Sequence, residues 1–394
     1  MDSNKSMEDQ VEKKEQLIDN FDAMNLKENL LRGVYSYGFE RPSLIQSKAI
    51  PIITQRRDLI AQSHSGTGKT GAFTISTLQN LDDKVNGCQA LIIAHTKELA
   101  QQISDVCSNI GQYLPVKTVL CIGGQDINVT RTELNSPNPI VVIGTPGRVI
   151  DLIKRRYLST RLLRILVVDE ADEMFSRSFQ EQMRNIINVI PQNAQICLFS
   201  ATVTDQMLAL TGKFMRDPES ILIEKEHLTL DGIRQFYVNV ETDLWKFETF
   251  CDLYDIISVS QTIVYVNSIK RGDELKYQLE EKKFTVSLIH SGMTVPERNV
   301  IMKDFRMGKT RILISTDLLS RGIDIQQISV VINYDLPRDK ECYIHRIGRS
   351  GRFGRKGIAI NLVSRNEERT LYELKNYYKT VIDPMPNNIQ QFLS

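Results

Sequence analysis

The sequence has 394 residues, 41% of them apolar and 25% charged, with a formal net charge of +1. That length allows two cores of ordinary size, and the near-neutral balance excludes a broadly basic molecule, so any nucleic-acid surface must be a local groove. Six cysteines without C-x-x-C spacing argue against a zinc site or a redox pair, and no apolar run approaches the roughly 18 residues a bilayer-spanning helix needs.

Met1-Asp2-Ser3-Asn4-Lys5 opens a polar stretch without an apolar core, so no secretory signal is expected. Reduced, buried cysteines would fit an intracellular protein. Residues 1–20 are polar and highly charged and read as a mobile tail or a frayed helix. Leu30, Leu31, Val34 and Tyr35 recur at helical spacing, and a second helix begins near Gln46, after Pro42-Ser43. Asp58-Leu59-Ile60-Ala61 then reads as a strand. Short apolar runs follow at 90–94, 119–122, 140–143, 165–168 and 196–199, with amphipathic stretches such as 99–110 and 179–190 between them. Near 224–232 the pattern lapses into Glu224-Lys225-Glu226-His227, and it restarts with runs at 262–266, 286–289, 312–314, 330–332 and 358–363. Short apolar strands alternating with helices predict an α/β fold with a parallel sheet covered on both faces, repeated once at the level of a whole domain. The expected division is a tail over 1–20, a first domain over 21–224, a linker over 225–232 and a second domain over 233–394. Parallel sheets place function at the carboxyl ends of their strands.

The densest chemistry lies in Ser63-His64-Ser65-Gly66-Thr67-Gly68-Lys69-Thr70, which matches a phosphate-binding loop except that Ser63 replaces its first glycine. Gly66 and Gly68 free the backbone N–H groups of Ser65 through Thr70 to approach phosphate oxygens, and the helix that follows aims its positive end at the same anion. Lys69 would bridge the β- and γ-phosphates, and Thr70 would offer a hydroxyl to Mg²⁺. The same residues would also suit an ordinary glycine-rich turn with a surface lysine. About 100 residues on, Asp169-Glu170-Ala171-Asp172 follows a buried-strand pattern. Asp169 is placed to hold Mg²⁺ through water and Glu170 to polarise an attacking water as general base. Solvated loop charges are the alternative.

These motifs, with others in one order from residue 21 onward, resemble the DEAD-box ATP-dependent RNA helicases, and within them translation initiation factor 4A and its close paralogues. The resemblance implies two RecA-like domains joined by a short linker, with ATP and Mg²⁺ bound between them. Gly38-Phe39-Glu40-Arg41-Pro42-Ser43-Leu44-Ile45-Gln46 matches the Q motif, in which Gln46 would read adenine and Phe39 would pack on its ring; Phe21 matches the isolated upstream aromatic or serves the core. Ser200-Ala201-Thr202 would couple hydrolysis to RNA binding by touching Asp172. In the second half, Asp324 would contact ribose. Arg349 and Arg352 would reach the γ-phosphate as arginine fingers, and His345 would join Asp172 across the cleft. RNA contacts are implied for Thr96, Lys97, Gly124, Thr145 and Arg148 in the first domain and for Asn267, Arg298 and Thr316 in the second. Backbone N–H groups with Lys and Arg suit phosphates and sugars, so the implied binding is sequence-independent and salt-sensitive.

The expected activity is RNA-dependent ATP hydrolysis that locally unwinds short duplexes in translation initiation. Its alternative is an ATP-gated RNA clamp in an RNA-processing or surveillance complex. The partners implied are single-stranded or locally paired RNA and, by analogy, a helical-repeat scaffold protein. A monomer is expected, cytoplasmic in the first case or nuclear in the second, with no membrane association. Several positions depart from the family pattern. Pro-Thr-Arg-Glu-Leu-Ala reads His95-Thr96-Lys97-Glu98-Leu99-Ala100, His-Gly-Asp-Met reads His290-Ser291-Gly292-Met293, Val295 replaces the Gln of Gln-x-x-Arg, and Ser63-His64 replaces Ala-Gln. These changes lie mainly on the RNA side, so reduced RNA affinity or unwinding efficiency, with ATP binding preserved, is expected.

Overall fold

The computed structural model describes residues 18–63, 66–176, 178–222, 233–257, 261–317, 328–350, 357–386 and 388–392. The tail expected over 1–20 lies almost wholly outside them, and so does the linker over 225–232.

The first sheet is built from β1 (Leu59–Gln62), β2 (Gly87–Ile93), β3 (Lys117–Cys121), β4 (Pro139–Gly144), β5 (Ile165–Val168), β6 (Gln195–Ser200) and β7 (Glu219–Ile221). The second contains β8 (Ile233–Val240), β9 (Thr262–Tyr265), β10 (Val286–Ile289), β11 (Ile312–Ser315), β12 (Val330–Asn333), β13 (Gly357–Ser364) and β14 (Asp383–Pro384). The spatial orders are β3-β4-β2-β5-β6-β1-β7 and β10-β11-β9-β12-β13-β8-β14, the same permutation twice, and the pairs are parallel. The duplication expected from the sequence is therefore present at the level of whole domains.

Strand periodicity explains why the sheets are covered on both faces. Successive side chains point to opposite sides, so a run that is apolar throughout needs a core on each. Leu59, Ala61, Ile92, Val167 and Phe199 enter one core, while Ile60, Ile93, Val168 and Leu198 enter the other. The second sheet divides likewise, with Val264, Ile314 and Ile332 on one face and Ile263, Leu313 and Val331 on the other. The helices run close to the expected spans, at Glu28–Ser36, Leu44–Thr54, Lys97–Ile110 and Gln180–Ile187.

Three strands carried no sequence expectation. β7 and β14 are edge strands of three and two residues, too short for a pattern. β8 interrupts its apolar residues with Arg234, Gln235 and Asn239, and Gln235 is satisfied by Tyr343 and Thr380 rather than by an apolar neighbour. Phe21 is fully buried in the first core, which assigns it to packing.

Candidate active site and RNA face

β1 delivers the phosphate-binding loop. Gly66 and Gly68 have φ of +85° and +101°, a left-handed backbone that side chains disfavour. Gly68 caps the Lys69–Asn80 helix, so the free N–H groups of its first turn point out of the loop. Lys69 is not a surface lysine: it is only 9% exposed, and its Nζ donates to the Ser63 carbonyl at 2.7 Å. Burial pulls its pKa down, while Asp169, Glu170 and Asp172 pull it back up. Thr70 is half-buried beside it.

The Q motif braces this loop from behind. Ser43 N donates to Gln46 Oε1 at 2.9 Å, and Gln46 Nε2 donates to the Gly68 carbonyl at 3.1 Å. Both ends of the amide are thus held by protein. A Cβ on Gly71 would stand 2.6 Å from Gln46 Nε2 and 2.8 Å from the Phe39 ring, so glycine lets the motif close onto the helix. Phe39 also stacks on Phe21 with ring centroids 6.4 Å apart.

β5 delivers the acidic motif. Asp169 and Glu170 are 4% and 5% exposed. Burial, with Glu170 next to it, pushes the Asp169 carboxyl up to about 6 against the pull of Lys69. Asp169 Oδ1 accepts from Glu170 N at 2.9 Å. Glu170 sits at φ 51°, ψ 52°, a left-handed conformation costing a non-glycine residue about 1–2 kcal/mol. Its Oε2 lies 3.1 Å from His95 Nδ1. Among the described residues no group of three or more His, Cys, Asp or Glu converges as a metal cage. The acidic pair does fit Mg²⁺: two adjacent buried carboxylates, one with its pKa raised by burial and by the other, are relieved by a hard cation, and Mg²⁺ takes few protein ligands when phosphates supply the rest.

The two halves meet at Asp172. Its backbone N donates to Ser200 Oγ at 3.2 Å, and its Oδ2 accepts from Thr202 Oγ1 at 2.9 Å and stands 2.9 Å from His345 Nε2. His345 lies on the Lys340–Ile347 helix of the second half. Arg349 follows it, 2% exposed, with Nε donating to the His345 carbonyl, and it is close enough to Lys69 to lower that group's pKa. Ser65, Asp324 and Arg352, expected at this site, lie outside the described residues.

The RNA candidates occupy a different part of each sheet. Thr96, Gly124 and Thr145 follow β2, β3 and β4, which are adjacent at one end of the first sheet. Asn267 and Thr316 follow β9 and β11, also neighbours. Thr96 caps the Lys97–Ile110 helix by accepting from Leu99 N, and Lys97 reaches over Gly123 and Gly124. Gly124 has φ of +95°, and Arg148 Nη2 donates to the adjacent Gln125 carbonyl at 2.9 Å. Thr145 begins the Pro146–Lys154 helix, and Thr316 is half-buried.

Two more of these side chains are committed to partners far away in the chain. Asn267 Oδ1 accepts from Arg346 Nη2 at 2.8 Å, and its Nδ2 donates to the Leu336 carbonyl at 2.7 Å. Arg298 Nη1 lies 3.2 Å from Glu98 Oε1, an ion pair between the halves whose side chains are 9% and 10% exposed. The Glu98–Arg298 and His95–Glu170 pairs were not legible in the sequence. The one signal for the second was the histidine where the family has proline.

The DEAD/DEAH box helicase family matches residues 43–210, and the helicase conserved C-terminal domain matches 245–354. The chain is 52% identical over 375 residues to the ATP-dependent RNA helicase eIF4A of Aspergillus fumigatus, covering 95% of this chain and 92% of that one. It is 50% identical to eukaryotic initiation factor 4A of Caenorhabditis elegans, covering 96% and 94%. Among solved structures it superposes on S. cerevisiae Dbp5 bound to RNA and ADP BeF3 with a TM-score of 0.88 at 32% identity, covering 95% and 97%. Two RecA-like sheets, a phosphate loop braced by a Q motif and an Asp-Glu-Ala-Asp strand end accord with that likeness, and the chain belongs to the DEAD/DEAH box ATP-dependent RNA helicases, in their eIF4A branch.

Proposed function

We propose that this chain is an RNA-dependent ATPase that locally unwinds short RNA duplexes in translation initiation, by ATP-driven closure of two domains, 21–224 and 233–394, on single-stranded RNA. The observation that carries this reading is the contact of His345 with Asp172, which brings Arg349 toward Lys69 and so sets groups from both halves around one phosphate-binding loop. The likeness to Dbp5 in an RNA- and nucleotide-bound state supports the closed arrangement.

ATP would lie on the Gly66–Gly68 turn, with Lys69 on its β- and γ-phosphates and Gln46 and Phe39 toward the base. Thr70 and Asp169 would hold Mg²⁺, which when bound neutralises charge on the phosphate oxygens. Glu170 takes the proton of the attacking water as its oxygen bonds to the γ-phosphorus, and the bond from that phosphorus to the ADP oxygen breaks. Arg349 and Arg352 stabilise the charge on the phosphoryl oxygens, their planar forks suiting that geometry. Asp324 would hold ribose. Closure aligns the RNA candidates along one rim, Thr96, Lys97, Gly124, Thr145 and Arg148 facing Thr316, with Asn267 and Arg298 bracing that rim through Arg346 and Glu98, so that one strand is held and its partner released. The protein would act as a monomer in the cytoplasm, docked on a helical-repeat scaffold.

The test is steady-state ATP hydrolysis with and without single-stranded RNA, followed by strand displacement. RNA should stimulate turnover, Lys69→Ala should abolish it, and Glu170→Gln should bind ATP without turning it over. Full turnover by Glu170→Gln, or none by the unaltered protein with RNA, would overturn the reading.

A further inference from the structure

The seam between the ATP side and the RNA side of the first sheet runs between β2 and β5. Ile93 pairs with Val168 across it, and Asp169 N donates to the Ile93 carbonyl at 3.0 Å. Two residues beyond each strand, His95 and Glu170 therefore stand side by side. Their side chains are 9% and 7% exposed, and Nδ1 lies 3.1 Å from Oε2. The contact is a close approach of two buried polar atoms and not an aligned hydrogen bond. His95 is also bonded to Thr96, the cap of the helix that carries Lys97 over Gly123 and Gly124. The preceding Ala94 N donates to the Gly144 carbonyl at 3.0 Å, just before Thr145. One residue thus touches the candidate base with its side chain and belongs to the RNA-side turn by its backbone.

Proline, the usual residue of the resembling motif at this position, has no polar side-chain atom and could not hold a carboxylate. We propose that His95 is a positioning residue for Glu170 that holds the carboxylate in the orientation hydrolysis needs and ties it to the turn bearing Thr96 and Lys97. Glu170 has two side-chain torsions beyond the one at its Cβ and a left-handed backbone, so its orientation is set by what it meets. Asp169, one residue back, already spends Oδ1 on the Glu170 N–H.

The inference rests on Glu170 as the general base, and the experiment separates the two. ATP turnover is measured at saturating RNA for His95→Ala, His95→Asn and His95→Pro, beside Glu170→Gln. Asparagine places its Nδ2 close to where histidine places Nδ1, so it keeps a polar nitrogen there and loses the ring. Misplacing a catalytic group costs about tenfold or more in rate, so kcat should fall about tenfold in the Ala and Pro variants while KM for ATP stays within twofold. The Asn variant should recover at least a third of the unaltered rate. A kcat within twofold of the unaltered protein in His95→Ala would overturn the inference. So would an Asn variant as slow as the Ala variant, which would mean that the ring merely fills space. If the Ala and Pro variants do not fold, the Asn variant decides alone. Normal turnover by Glu170→Gln would instead remove the reading of Glu170 itself.

Discussion

His345 Nε2 stands 2.9 Å from Asp172 Oδ2, with both side chains nearly excluded from solvent. The same carboxylate oxygen accepts from Thr202 Oγ1, and Ser200 Oγ receives the backbone N–H groups of both Asp172 and Thr202. One carboxylate thereby joins β5, β6 and the second half of the chain.

Removing the imidazole should therefore cut communication and leave nucleotide binding in place. In His345→Ala, ATP affinity should stay within about threefold, because Lys69 and the loop are untouched. RNA-stimulated turnover should fall about tenfold or more, since a group that acts only in the closed state lowers kcat rather than affinity. Parallel measurement of ATP affinity and of kcat with RNA checks this. Equal loss in both would contradict it.

The Glu98–Arg298 pair makes a second prediction about closure. Both groups are desolvated only where the halves meet, and removing one partner of a buried pair leaves the other charge unpaired, at a cost of about 3–5 kcal/mol in a fully buried case. Arg298→Ala should therefore weaken the mutual enhancement of RNA and ATP-analogue binding more than it weakens either alone, and it should leave thermal unfolding nearly unchanged because the open state rehydrates Glu98. Exchanging the pair, Glu98→Arg with Arg298→Glu, should restore part of the enhancement. An Arg298→Ala variant that loses RNA affinity equally with and without nucleotide would place the guanidinium on RNA instead.

The ATP side was legible in the sequence because its phosphate loop, acidic motif and Ser-Ala-Thr motif each follow a fully buried parallel strand, where an apolar run stops near Ser63, Asp169 or Ser200. Such edges are local. The RNA side was only half legible. Thr96, Gly124 and Thr145 also end strands, but the partners that engage Asn267 and Arg298 lie far away in the chain, and no local pattern foretells an Arg346 or a Glu98. β8 escaped for another reason. Polar residues buried by hydrogen bonding, such as Gln235, break the apolar run on which strand recognition depends.

Gly71 offers a test of the brace behind the loop. Gly71→Ala would raise helix propensity by roughly 1 kcal/mol, so stability should hold or rise slightly. The new methyl would nevertheless displace Gln46 and Phe39, since it stands 2.6 and 2.8 Å from them. KM for ATP should rise several-fold, with a smaller change for nucleotides of another base. An unchanged KM would mean that Gln46 does not need its present position.

Burial also makes the thiols inert. It pushes Cys88, Cys107 and Cys121 up to about 12 and raises Cys197 and Cys251 as well, while Cys342 is half-buried. A rise from 9 to about 12 lowers the thiolate fraction roughly a thousandfold near neutral pH. Titration with a chromogenic disulfide at pH 8 should therefore register one thiol promptly in the native protein and six after unfolding. Prompt reaction of two or more thiols would contradict the described cores.

The last prediction concerns Lys97, where the resembling motif has arginine. Its ammonium reaches over Gly123 and Gly124, the turn that Arg148 also holds through the Gln125 carbonyl. Lysine offers a point charge, whereas arginine offers a planar fork that engages a phosphate with two hydrogen bonds. Lys97→Arg should tighten binding of single-stranded RNA a few-fold. Because the charge is conserved, the number of counterions released should not change, so the slope of affinity against salt should stay the same while the whole line shifts. ATP affinity without RNA should not move. A steeper slope would mean that lysine makes no phosphate contact and arginine creates one. No shift at all would mean that this position lies off the RNA path, and that weak RNA binding, if measured, must be traced to the second half.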